Sequence, residues 1–302
     1  METKFHFCPT HFNWAAIHPK PIGVINFIGG AFFGTFPTLF YHRLLGQLFE
    51  AGYTIIAIPF RFTFQHWDVA VGLVKELYPT LKAVRDEAKR RGYDYQIYEE
   101  DPCAQKANYF WLGHSLGTKY IGLLEYLSDF DAGDAKNKEE ICNCAKSKAQ
   151  GEKQVSQIIK ALGKVSFRIS IKNQPSVLMA PDISNTKSAI RIGFIADLID
   201  QLGWGVTPTK EETFCLIERS NLYGLMALIA FESDKIAKET VHWLRTHKLH
   251  CQSPNTFPCG ELPGGHLKPL DFQNNCGALS LKVLYDFEHL TNQLNESLSQ
   301  VP

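Results

Sequence analysis

Neither sign of charge prevails in this chain of 302 residues, because 31 lysines and arginines are matched by 31 aspartates and glutamates. With no net field to draw a polyanion, nucleic acid is not an expected partner, and neither is an anionic membrane surface. Long apolar runs are missing too. The longest, near residues 24–33 and 222–231, reach about half of the ~20 residues that a bilayer-spanning helix needs. Buried strands account for them, and no integral membrane segment is expected. Met1-Glu2-Thr3-Lys4-Phe5-His6-Phe7-Cys8 contains no basic stretch followed by a long apolar one, so no secretory leader is expected. The 8 cysteines show neither C-x-x-C pairing nor the density of a small disulfide scaffold, which points to reduced thiols. Cys142-Asn143-Cys144 stands in a charged stretch with no histidine nearby, and we expect no metal and no cofactor.

The chain does have a 45% hydrophobic content, enough for a large core, and one stretch around which the rest is organised. Tyr109-Phe110-Trp111-Leu112 is an apolar run that ends in Gly113-His114-Ser115-Leu116-Gly117 and passes into residues 118–127, whose apolar positions recur at helical spacing. Strand, sharp turn and helix around G-x-S-x-G read as a nucleophile elbow. The glycines let the turn close, and the serine hydroxyl projects from the carboxyl edge of the sheet. A purely structural strand–helix turn is the plain alternative.

Upstream, residues 4–8 and 12–17 suit short edge strands broken by Pro9 and by Pro19-Lys20-Pro21. Gly23-Val24-Ile25-Asn26-Phe27-Ile28 stops at Gly29-Gly30-Ala31-Phe32-Phe33-Gly34, the pattern of a buried parallel strand entering a glycine loop. Pro37 opens a single helix through Phe49 that Gly52 ends, and residues 54–59 form the next strand. Residues 60–67 make an aromatic loop, followed by an amphipathic helix over 69–91 that Pro79 kinks or splits. After the elbow helix, residues 131–153 turn to Lys, Glu, Asp, Ala and Asn with few apolar residues, the composition of an exposed, mobile insertion. Residues 155–162 look helical and 165–171 alternate; 176–180 return to the buried-strand pattern, and 188–202 form an amphipathic helix. Thr209-x-x-Glu212 is a capping box opening another helix. Residues 225–231 form a further core strand, 237–245 a helix, 247–251 the last short strand and 279–294 the closing helix. This alternation predicts an α/β fold with a mostly parallel central sheet, helices on both faces and a helical cap. The core is assigned to residues 1–130, 173–182 and 221–302, and the cap to 131–172 and 183–220.

In such sheets functional groups gather at the carboxyl ends of the strands. Ser115, Asp234 and His266 all fall there, in the order nucleophile, acid, base. A serine hydroxyl is a poor nucleophile until an imidazole takes its proton, and the imidazole needs a carboxylate to fix its tautomer. Asp182 follows another core strand and is the rival acid; Asp234 has a plain alternative as a helix cap, and His266 as one more of 11 histidines. His114 is expected to point away from the serine and to pack structurally. An oxyanion needs backbone donors, for which Leu116 and Ala31 are the candidates, with Phe32 second. Phe33, Phe36, Phe60, Phe62, Phe64 and Trp67 follow two strands at that edge and are candidates for lining a substrate site.

Together with the elbow, Gly29-Gly30-Ala31-Phe32, Phe231-Glu232-Ser233-Asp234-Lys235-Ile236 and Pro263-Gly264-Gly265-His266-Leu267-Lys268-Pro269 resemble the α/β-hydrolases. Within them the chain is similar to an uncharacterised hydrolase-like family of cyanobacteria and plant plastids, over most of its length outside the charged insertion. The resemblance implies an α/β-hydrolase fold with a helical cap and a serine nucleophile, and it supplies no substrate. The expected activity is a serine esterase acting on a lipophilic ester or thioester. An acyltransferase would share the same acyl-enzyme, and a catalytically idle fold serving ligand binding or assembly is the alternative. The expected partner is a small lipophilic ester, and the expected location is the cytoplasm or a plastid stroma.

Overall fold

A strand can be apolar at every position only if both faces of its sheet are covered. The computed structural model describes residues 5–99, 108–128, 130, 134–163, 170–183, 205–219, 225–247, 259–270 and 276–299. Its strands are β1 (Cys8–Thr10), β2 (Asn13–Ala16), β3 (Gly23–Ile28), β4 (Tyr53–Ala57), β5 (Tyr109–His114), β6 (Ser176–Met179), β7 (Met226–Phe231) and β8 (Cys259–Leu262). β3, β5, β6 and β7 are buried at every position. They form the middle of a sheet ordered β1-β2-β4-β3-β5-β6-β7-β8, antiparallel at the β1/β2 and β2/β4 pairings and parallel elsewhere. Register aligns the carboxyl ends: Ile28 lies beside Gly113, His114 beside Met179, and Phe231 beside Leu262. The expected fold class is therefore the observed one.

Several elements depart from their expected form. The single helix expected from Pro37 is divided into α1 (Pro37–Phe40) and α2 (His42–Glu50) at Tyr41, whose side chain is fully buried. The helix expected to kink or split at Pro79 is α3 (His66–Arg91), which remains helical through the proline and starts inside the expected aromatic loop. Leu73, Leu77, Leu81, Val84 and Ala88 are all buried, so one packed stripe spans the proline and offsets the roughly 3 kcal/mol that a lost hydrogen bond and ring clash cost.

The larger correction concerns residues 131–153. Following α4 (Leu116–Ser128), the chain forms α5 (Ala135–Cys144) and α6 (Lys148–Leu162) rather than a mobile loop. Lys, Glu, Ala and Gln are good helix formers, and each helix has an N-cap, the Asp134 carboxylate on the Lys136 amide and the Ser147 hydroxyl on the Gln150 amide. Few apolar residues suffice because a surface helix buries only one face: Ile141, Val155 and Ile158 turn inward, and Gly151 lies against Cys142. The expectation of reduced thiols also fails at one pair. Cys144 forms a disulfide with Cys215 of α7 (Lys210–Arg219), 71 residues later. α7 begins with the expected capping box, in which the Glu212 amide donates to Thr209 Oγ1 and the Thr209 amide to the Glu212 carboxylate.

His247 ends α8 (Lys238–His247) instead of opening a strand, and the edge strand is β8. Its residues alternate between exposed and half-buried, so it never needed an apolar run. α9 (Gly277–Ser299) closes the described chain. The helix expected at 188–202 and residues 165–169 and 248–251 lie outside the described residues. Among those described, no helix is long and apolar enough to cross a membrane. Because the disulfide closes a long loop, Cys215→Ser should lower unfolding stability by about 2–4 kcal/mol; urea titration of oxidised wild type against the variant measures it.

Candidate active site

β5 leads into the elbow, where Ser115 has φ 52°, a left-handed value that side chains other than glycine rarely adopt. The turn is held from both sides. The Ser115 amide donates to the Met179 carbonyl at 3.1 Å, and the Ser115 carbonyl accepts from the Thr118 amide at 3.0 Å and its hydroxyl at 2.6 Å. A Cβ on Gly117 would collide with the carbonyls of Ile28 and Gly29, so this position must be bare for α4 to lie against the end of β3.

Ser115 Oγ lies 2.8 Å from His266 Nε2, and His266 Nδ1 lies 2.9 Å from Asp234 Oδ2. The hydroxyl donates to Nε2 and Nδ1–H donates to the carboxylate, which is the proton path a serine nucleophile requires. Asp234 follows β7, and its other oxygen accepts the amides of Ile236 at 2.8 Å and Ala237 at 3.0 Å. One oxygen thus accepts the amides just ahead of α8 while the other meets His266. Burial opposes its ionisation, but the hydrogen bonds from His266 and the two amides outweigh burial and hold the carboxyl below its ordinary value. His266 is presented by the turn after β8, fixed where the Ser233 amide donates to the Gly264 carbonyl. Asp182 is placed differently. Its amide donates to the Ser115 carbonyl, and its carboxylate favours the charged form of buried Lys119.

The loop after β3 presses on the elbow: a Cβ built on Gly30 would stand 3.1 Å from Ser115 Cβ. Amides of this loop are already engaged at Gly30, to the Tyr41 hydroxyl, at Phe33, to the Ala31 carbonyl, and at Gly34, to the Gly30 carbonyl. Between them lie the amides of Ala31 and of Phe32, which has φ 60°. Leu116 is the first residue of α4, so its amide has no intrahelical acceptor.

Two aromatic candidates belong to the core instead of an open site. Trp67 is fully buried in α3 and donates its indole N–H to Gln154 of α6 at 2.8 Å, while Phe60 is buried against Gly34 and Tyr120. Phe32 stacks on Phe62 at 4.6 Å, and Phe62 meets Phe64 edge-on at 5.7 Å. Phe33 contacts Phe40, and Phe36 is exposed.

His114 is packed in the interior, as expected, and its partners lie beside the serine–histidine–aspartate chain. Its ring is buried beside that of His266, centroids 5.2 Å apart, with Nε2 2.8 Å from the His266 carbonyl and Nδ1 2.8 Å from the Tyr41 hydroxyl. Burial, then the neighbouring His266, push its pKa down to about 3. Sequence reasoning gave no sign of Tyr41, which sits in an ordinary amphipathic pattern, or of Lys119. Lys119 is fully buried on α4, donates to the Pro208 carbonyl at 2.6 Å, and has its pKa lowered by burial to about 7.

Sheet order, elbow, and the serine–histidine–aspartate alignment define an α/β-hydrolase fold with a candidate site at its carboxyl edge. The chain belongs to the family described as "Protein of unknown function (DUF1350)", whose model matches residues 9–299. No curated protein matches its sequence. Among solved structures it is similar to esterase B from Lactobacillus rhamnosis inhibited by a C4-C4 tributyrin phosphonate, with 14% identity, a TM-score of 0.55, and coverage of 92% of this chain and 79% of that one. A thermophilic esterase from Thermogutta terrifontis also matches, at 14% identity and a TM-score of 0.48, covering 93% of this chain and 86% of that one.

A buried neutral histidine makes stability depend on pH. His114 binds its proton at about pH 3 when folded, against an ordinary value of 6.5, so the unfolded chain protonates first. Its contribution is level above pH 6.5 and is lost progressively as pH falls from 6.5 towards 3. Urea midpoints measured from pH 7 to pH 4.5 should fall more steeply for wild type than for His114→Gln.

Proposed function

We propose that this protein is a serine hydrolase that cleaves a lipophilic carboxylic ester, or thioester, through an acyl-enzyme on Ser115. The observation that carries the reading is the unbroken hydrogen-bond chain from Ser115 through His266 to Asp234, at 2.8 and 2.9 Å. In the first half-reaction Ser115 Oγ attacks the substrate carbonyl carbon as its proton passes to His266 Nε2. The amides of Leu116 and Ala31, with Phe32 as the alternative second donor, receive the negative charge on the carbonyl oxygen. Collapse of the tetrahedral intermediate breaks the bond to the leaving alcohol or thiol, which takes the proton from His266. Water then gives a proton to His266 and attacks the acyl carbon, and Ser115 regains its proton as the acid leaves. Asp234 remains ionised throughout and stabilises the imidazolium.

For the acyl group we propose the surface of Phe32, Phe33, Phe36, Phe62 and Phe64. Segments 131–172 and 183–220 are proposed as a cap over it; α6, packed on α3, α7, packed on α4, and α5, packed on α6 and α7, belong to them. Esterase B of Lactobacillus rhamnosis, which shares the fold, was captured with a short-chain triglyceride-like phosphonate, and an acyl ester is the substrate class proposed here as well.

Ser115→Ala should abolish hydrolysis of p-nitrophenyl esters in a protein with unchanged circular dichroism, and retained turnover would exclude the acyl-enzyme. Stoichiometric labelling of wild type by a fluorophosphonate, absent in the variant, reads the same hydroxyl without a substrate. Asp234→Asn should cost far more activity than Asp182→Asn, and the reverse ranking would transfer the acid role. Across C2 to C12 p-nitrophenyl esters, kcat/KM should rise by up to about fourfold per methylene while the chain is being buried. A flat profile or a preference for acetyl would remove the aromatic residues from the substrate site.

A further inference from the structure

Three hydrogen bonds of 2.8 Å run in series beside the proposed triad without passing through Ser115. They join the Gly30 amide to the Tyr41 hydroxyl, that hydroxyl to His114 Nδ1, and His114 Nε2 to the His266 carbonyl. Chemistry assigns every proton along the series. An amide can only donate, so the Tyr41 oxygen accepts from Gly30; a carbonyl can only accept, so His114 carries its proton on Nε2. A neutral ring then has a bare Nδ1, which leaves it to accept the Tyr41 O–H.

The ends of the series are the two parts that a serine hydrolase must keep at a fixed separation. Gly30 begins the loop whose following amides are the proposed oxyanion donors, and His266 is the proposed base. We propose that Tyr41 and His114 are positioning residues, which lock the oxyanion loop to the His266 backbone through a single tautomer of a neutral imidazole. The proposal rests on the esterase reading of Ser115. Tyr41, His114 and Gly30 are all buried, so breaking the series would leave a donor or acceptor unpaired away from water. Neutrality matters as well. The titratable groups facing His114 are Tyr41, His266 and Asp234, and a charged ring at 5.2 Å would oppose the imidazolium that His266 must become. Tyr41 stands at the boundary between α1 and α2.

The test combines kinetics with a readout that needs no turnover. Tyr41→Phe keeps the ring and deletes only the hydroxyl; it should lower kcat about tenfold for p-nitrophenyl butyrate with KM changed by less than about twofold. His114→Gln keeps a donor for the His266 carbonyl and should lose less than His114→Leu. In long-range 1H–15N spectra of the labelled full chain, His114 should be neutral and Nε2-protonated from pH 5 to 8. In Tyr41→Phe that tautomer should become mixed, and the downfield Nδ1 proton of His266 should shift or broaden. An unchanged kcat in folded Tyr41→Phe, an Nδ1-protonated His114, or a His114 titrating between pH 5 and 8 would each overturn the proposal. If the wild type turned over no ester, the proposed function would fail while the two NMR signatures still decided the coupling. If His114→Leu did not fold, Tyr41→Phe and His114→Gln would carry the test.

Discussion

Everything at the carboxyl edge depends on how closely the elbow approaches the end of β3. At Gly117 a side chain would meet the carbonyls of Ile28 and Gly29, and at Gly113 a Cβ would stand 2.7 Å from Ile121 Cδ1. Because both positions are bare, α4 seats against the sheet and Ser115 is forced to φ 52°. Strain of this kind is worth about 1–3 kcal/mol and persists only where the surroundings over-determine the backbone. Here they do: the Met179 carbonyl holds the Ser115 amide, and Thr118 holds its carbonyl. The hydroxyl is thereby aimed away from the sheet towards His266 without the serine choosing its own conformation.

Around that fixed point the structure separates charge from neutrality over a few ångströms. Asp234 is kept ionised by two amides and His266 together, while His114, two bonds away in the same cluster, is kept neutral by burial. The amides at the entrance to α8 therefore serve both the start of a helix and the electrostatics of the candidate base. One carboxylate meets both needs because its two oxygens point in different directions.

The same elbow helix reaches the proposed cap through a buried lysine. Lys119 donates to the Pro208 carbonyl, just ahead of the capping box of α7, and Trp67 of α3 donates to Gln154 of α6. The Cys144–Cys215 disulfide then ties α5 to α7. Helices of low apolar content are held in this way by a few polar and covalent links to the core, in addition to the narrow stripe that includes Ile141, Val155 and Ile158.

The central strands, the elbow and a short set of candidates, Ser115 and His266 with either Asp234 or Asp182, were legible in the sequence for a common reason. Continuous apolar runs and glycines at fixed offsets are local signals, and the order of Ser115, Asp234 and His266 follows from which strand ends they occupy. The sequence was silent or misleading wherever the outcome depended on contact between distant segments. Residues 131–153 read as a loop because helical burial needs only a stripe, and the partner for that stripe lies in α3 and α7. Trp67 and Phe60 read as site residues because composition cannot tell an aromatic ring facing the core from one facing a cleft. The bond from His114 to the His266 carbonyl spans 152 residues, and the one from Tyr41 to His114 spans 73. No local pattern encodes such pairings; only the sheet, by bringing β3, β5 and the turn after β8 to one edge, decided that they would meet.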